Sequence, residues 1–146
     1  MTSAQMTELS ALYEEDETAW LEIMAEIVAQ KRFAEIDYRN LSEYLSDMGI
    51  RDRREVKSHL VQLLLHVLKW VYQPDNRTAS WSHSIFEQRL ELRLLLESRT
   101  LRNHAADILD ASYAMARKEA AKQTKLKIGK FPKDCLRTID ELLSDD

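Results

Sequence analysis

Two glycines and two prolines are all that interrupt 146 residues, and that shortage constrains the fold more than any other feature. Sheets and sandwiches need a tight turn every few residues, and tight turns draw heavily on glycine and proline. A chain this poor in both is committed to long helices, so each of the four residues reads as punctuation between helices. Gly49 follows the periodic run Leu41, Tyr44, Leu45, Met48 and is expected at the left-handed position just past a helix end. Gly129 is expected to do the same after a later helix. Pro74 and Pro132 fall just beyond helical patterns, where a residue that cannot continue a helix belongs.

Apolar spacing fills in the rest. A first helix is expected from Leu9 or Tyr13 to Lys31, with Trp20, Met24, Ile27 and Val28 on one face and an acidic run, Glu14 to Glu17, near its positive end. A short second helix spans Asn40 to Met48, where Asn40 and Glu43 have the spacing of a capping box. The third, from Asp52 to Tyr72, lines up Val56, Leu60, Leu63, Leu64, Val67 and Val71 as the centre of the core. A fourth covers Ser80 to Ser98, and a fifth, rich in alanine, covers Leu101 to Lys125. The last opens at Thr138 with Glu141 three residues on, again a capping-box spacing. The expected architecture is all-α, a compact bundle of about five to six helices forming a single domain over residues 1–146.

Composition enters where classes must be excluded. At 45% hydrophobic and 32% charged, the chain is too apolar for a disordered protein and too evenly mixed for a membrane protein. Its longest uncharged apolar stretch, Leu60 to Leu68, is broken by Gln62 and His66, far short of the roughly 20 residues of a membrane span. The amino-terminal residues lack the basic then apolar pattern of a secretory signal. A lone cysteine, Cys135, allows no intramolecular disulfide and no paired-cysteine metal motif, so the expected setting is the cytoplasm. Charge is segregated: residues 1–48 carry three basic against eleven acidic side chains, residues 49–130 sixteen against nine, and residues 131–146 two against five. That split favours docking of one part of the chain, or of one subunit, on another as much as it favours an external anion.

Catalytic motifs are missing from the pattern. His59 and His66 share a helix face but stand about 10.5 Å apart along it, too far to grip one ion. Neither His-Glu-x-x-His nor Glu-x-x-His occurs, two isolated glycines build no phosphate loop, and Cys135 has no histidine nearby in sequence. No cofactor or metal is expected, and the reading leans away from an enzyme. Lys118, Lys122 and Lys125 follow helical spacing on the fifth helix, with Arg117, Lys127 and Lys130 close by. Such a cluster could meet nucleic acid. It lacks interleaved aromatics, and cations are favoured at any helix carboxyl end.

Two features carry the positive expectations. The fourth helix has two apolar stripes about 180° apart, one of Trp81, Ile85, Leu92, Leu95 and Leu96, the other of Phe86, Leu90 and Leu94. Both faces want cover, either from neighbours in the chain or from another subunit, which makes Phe86, Leu90 and Leu94 the candidate interface. The second feature is a helix-turn-helix corner that gathers His66, Lys69, Trp70, Tyr72, Gln73, Arg77, Trp81, Gln88 and Arg89. It is read either as an aromatic and cationic pocket or as a rigid structural staple.

The same corner carries a resemblance. His66-Val-Leu-Lys-Trp-Val-Tyr-Gln-Pro74, followed by Arg77, Ser80-Trp81, Ile85 and Gln88-Arg89, is similar to the signature of the bacterial domain of unknown function twenty-nine family. Agreement extends through Leu12-Tyr-Glu-Glu-Asp16, Trp20-Leu21, Arg32-Phe33, Ile36-Asp37 and Asn40-Leu-Ser-Glu43 to Phe131-Pro132 and Cys135. Arg39 and Tyr44 stand where the pattern has acidic residues, and Leu136 where it has proline. The resemblance implies an α-helical fold and brings no activity, substrate or cofactor. The expectation is therefore a protein that acts through contacts with itself or another protein, away from membranes. The alternatives are a nucleic-acid-binding component, for instance of a toxin and antitoxin type, or a small-ligand site at Trp70, Arg77 and Trp81.

Overall fold

The computed structural model describes residues 1–144. These residues form six α-helices joined by turns and three short 3-10 segments, with no strand among them. Contacts divide the chain into two units, Met1–Ile50 and the remainder from Arg51 onward.

In the first unit, α1 (Ser3–Glu15) opens with a reciprocal capping box between Thr2 and Gln5. The expected single first helix is two helices. Asp16 ends α1, its N–H donating to the Leu12 carbonyl at 2.7 Å, and starts α2 (Glu17–Ala29), its carboxylate accepting from the Ala19 N–H at 3.1 Å. A short acidic side chain competes for backbone donors, which suits it to a cap and interrupts the helix there. Lys31, at φ 57°, takes the left-handed position after α2. Leu9, Trp20, Met24, Ile27 and Ile36 form the core of this unit, with Leu12, Tyr13, Leu21, Leu41 and Tyr44 packed around it. Trp20 is wholly buried, with Tyr13 edge-on at 4.7 Å and Tyr44 at 6.1 Å. Its indole N–H donates to Asp37 at 3.0 Å, so no buried polar atom is left open there.

The expected second and third helices are one continuous helix, α3 (Tyr38–Tyr72). Gly49 does not end a helix; it lies inside α3 and has no positive φ. A mid-helix glycine costs about 1 kcal/mol, a penalty too small to end a long helix by itself. Asn40 is not the cap either. Asp37 precedes the helix, accepting from the Asn40 N–H at 3.5 Å and the Asn40 side-chain amide at 2.8 Å, and that amide also reaches Ser10.

The second unit contains the rest of α3, then α4 (Ala79–Leu95), α5 (Arg99–Thr124) and α6 (Ile139–Leu143). Thr78 caps α4 through Trp81 N–H, Ser98 caps α5 through Leu101 N–H, and Thr138 and Glu141 form the expected capping box of α6. After α5 the left-handed position belongs to Lys125, at φ 61°, rather than to Gly129, which sits four residues later in the 3-10 turn Ile128–Lys130. Val56, Leu60, Leu63, Leu64, Leu65 and Leu68 of α3 share a core with Leu92 and Leu96, with Ala105, Tyr113, Ala116 and Ala120 of α5, and with Phe131, Leu142 and Leu143. This core holds α4 by its Leu92 face and leaves the opposite face to solvent.

Candidate functional site

Two of the three cations of the corner, Lys69 and Arg77, lie against its tryptophans. Lys69 lies with its ammonium 4.7 Å from the Trp81 ring centre and donates to Gln123 at 3.0 Å; its partial burial lowers the pKa of the amine. Arg77 covers Trp70 at 4.7 Å and donates from Nε to the Trp70 carbonyl at 2.8 Å. That bond occupies one of the carbonyls left open at the end of α3. Gln73 continues the helical bonding with an N–H to the Lys69 carbonyl, and His66 meets the Gln62 carbonyl at 2.8 Å. Gln88 binds His59 at 2.6 Å across α3 and α4. Tyr72 packs edge-on against Phe131 at 5.4 Å. Arg89 donates to the Leu142 carbonyl at 2.9 Å and fastens α4 to α6.

Beside this stapled corner the surface is concave. A groove of about 450 Å³ runs between α3 and α4, lined by Val67, Trp70, Val71, Ser82, Ile85, Phe86, Arg89 and Arg137. A smaller hollow of about 200 Å³ continues from it, sharing Val67, Val71 and Arg137 and adding Tyr72, Tyr113, Pro132, Cys135 and Leu136. Of the nine corner residues, then, Trp70, Tyr72 and Arg89 face this concavity, while Lys69 and Arg77 are folded onto the tryptophans. Burial pushes the pKa of the Cys135 thiol upward, with its hydrogen bond to the Arg137 carbonyl acting the other way. The Tyr113 hydroxyl, also pushed up by burial, donates to the Pro132 carbonyl at 2.5 Å and fixes the irregular segment that forms the far wall. Arg117 grips the same segment through the Phe131 carbonyl.

Phe86, Leu90 and Leu94 stand in the open, 61%, 45% and 56% exposed, while Leu92 on the other side of α4 is fully buried. They form an apolar ridge, and Phe86 is at once its first residue and part of the groove wall. Val71, Tyr72 and Leu136 add exposed apolar surface around the groove. Arg137, Leu136 and Pro132 line the concavity but are passed over by sequence periodicity, because the segment between α5 and α6 has no regular spacing from which to read a face.

Exposed apolar side chains also occur elsewhere, among them Phe33, Tyr38, Leu45 and Ile50 in the first unit and Met115 and Ile128 in the second. Lys118, Lys122, Lys125, Lys127 and Lys130 are all exposed. Among the described residues no group of three or more His, Cys, Asp or Glu side chains is placed to hold a metal ion, and no helix is long and apolar enough to cross a membrane.

Comparison with known proteins adds one match. The family model described as Domain of unknown function DUF29 matches residues 12–146. No curated protein and no solved structure matches the chain.

Proposed function

The chain belongs to the DUF29 family, whose description carries no activity, and from that premise we propose that it works by protein association, with a second copy of itself as the partner, in the cytoplasm. The observation that carries this reading is the ridge of Phe86, Leu90 and Leu94 on a helix already anchored by its other face. Val71, Tyr72 and Leu136, 44%, 36% and 77% exposed, add apolar side chains to the same region. Monomeric proteins rarely leave more than a few hundred Å² in one patch unless something covers it. One side of a standard protein interface covers about 800 Å², so this patch with a polar rim supports a modest, reversible dimer. The reading contains no catalytic step.

Light scattering or native mass spectrometry over a dilution series tests it. The wild-type chain is expected to shift from dimer to monomer on dilution. Leu90→Glu/Leu94→Glu should stay monomeric at every concentration with an unchanged helical spectrum, because both side chains are already exposed. A wild-type chain that is monomeric throughout the series removes the proposal.

A further inference from the structure

We propose that the self-association is isologous and seats the α4 ridge of one copy in the α3–α4 groove of the other, about a two-fold axis that passes Phe86. This rests on the association reading above. Going round α4 from Phe86 in one direction leads to Leu90 and Leu94, about 40° and 80° away; in the other direction lie Arg89 and Ile85, about 60° and 100° away, which line the groove. Along the helix the ridge runs from Phe86 toward the C-terminal end of α4, while the groove opens toward its N-terminal end, where Lys69 of α3 meets Trp81, so Phe86 stands where the two join. A surface of that kind is self-complementary under a two-fold rotation about a line through Phe86 that crosses α4 obliquely, between the ridge on its C-terminal side and the groove on its N-terminal side: each ridge meets the other copy's groove, both contacts form together, and the assembly closes at two copies. The groove and its continuation have room for several aliphatic side chains, and Val67 and Val71 supply an apolar floor.

Charge agrees with the same arrangement. The flank of the ridge away from the groove carries the exposed carboxylates of Glu87 and Glu91. The groove rim carries Arg137, exposed and without an ion pair among the described residues. The two-fold brings each acidic flank to the other copy's cationic rim. Rim pairs of this kind set orientation more than affinity.

Paired cysteines read the geometry directly. In a Cys135→Ser background, Val71→Cys combined with Leu94→Cys is expected to give a covalent dimer under mild oxidation, while either cysteine alone leaves the chain uncrosslinked. Leu94→Cys linking to itself would mean ridge against ridge and would overturn the proposal. A chain that is dimeric by mass yet forms no Val71–Leu94 link would overturn the geometry and leave the association reading standing; a monomeric chain removes both. Arg137→Glu provides a second readout that leaves the core untouched. It should weaken dimerisation several-fold, and adding Glu87→Arg/Glu91→Arg should restore it; no restoration counts against the ridge-in-groove register.

Discussion

Glu35 sits between two positive groups, the guanidinium of Arg32 and the amino group of Met1, the latter at 3.1 Å. The hydrogen bond from Arg32, followed by that from the amino terminus, holds its carboxyl down at about 2, against about 4.3 for an unperturbed glutamate. A carboxyl whose folded pKa is depressed contributes stability that is fully present above its unfolded pKa and is lost as pH falls towards the folded one. Glu35→Gln is therefore expected to melt earlier than wild type at neutral pH, and the gap should close between about pH 4.5 and pH 2. Thermal melts followed by circular dichroism across that window check it; a gap independent of pH would show that the carboxylate charge is not what matters. Other residues of the same unit repeat the theme of short polar groups spent on chain ends. Asp16 divides two helices, and Asp37 serves both Trp20 and the start of α3.

Among the elements, α3 is the one whose sequence misleads. Gly49 has the position of a terminator, yet the helix runs 35 residues through it. Replacing Gly49 with alanine should stabilise the chain by roughly 0.5–1 kcal/mol, since alanine loses less conformational freedom in a helix. Chemical denaturation measures this, and a destabilised variant would mean that the missing side chain is needed there for space. The other helices were readable to the extent that their ends carry local chemistry. Thr138 and Glu141 announce α6 correctly, and the Thr2–Gln5 box announces α1 just as openly to anyone who looks ahead of the first apolar run. The joint at Asp16 is harder, because a single acidic residue inside an acidic stretch looks like ordinary helix surface until the backbone shows which N–H it accepts from. Lys31 and Lys125 in left-handed conformations are illegible for a similar reason: lysine has no preference for that region, so only the ends of α2 and α5 place it there. The doubled apolar pattern of α4 was visible in the sequence. Which stripe would be covered and which left bare was not, since that depends on Leu92 meeting a core assembled from residues on four other segments.

For the molecule as a whole, the apolar ridge and groove and the exposed lysines predict opposite responses to salt. Association through apolar area is little affected by salt, whereas phosphate binding by exposed lysines weakens steeply with it. The dissociation constant of the proposed dimer is expected to change by less than about tenfold between low and moderate salt, as measured by sedimentation at each ionic strength. Complete dissociation on adding salt would instead point to the lysines of α5 and the turn that follows. The aromatic corner has a part in this beyond bracing. Arg77 lies over Trp70, which lines the groove, and Lys69 over Trp81 beside it, and side chains already held by contacts lose less freedom on binding than free ones.

The chain's three tryptophans are also placed as built-in optical reporters. Trp20 lies sealed in the core of the first unit, with tyrosines at its ring and a carboxylate on its indole nitrogen. Trp70 and Trp81 each lie beneath a cation in the second unit, and Trp70 borders the groove. Their emission reports different regions without any added label: the sealed indole follows the melting of its own core, while the groove-side indole responds to whatever comes to rest beside it.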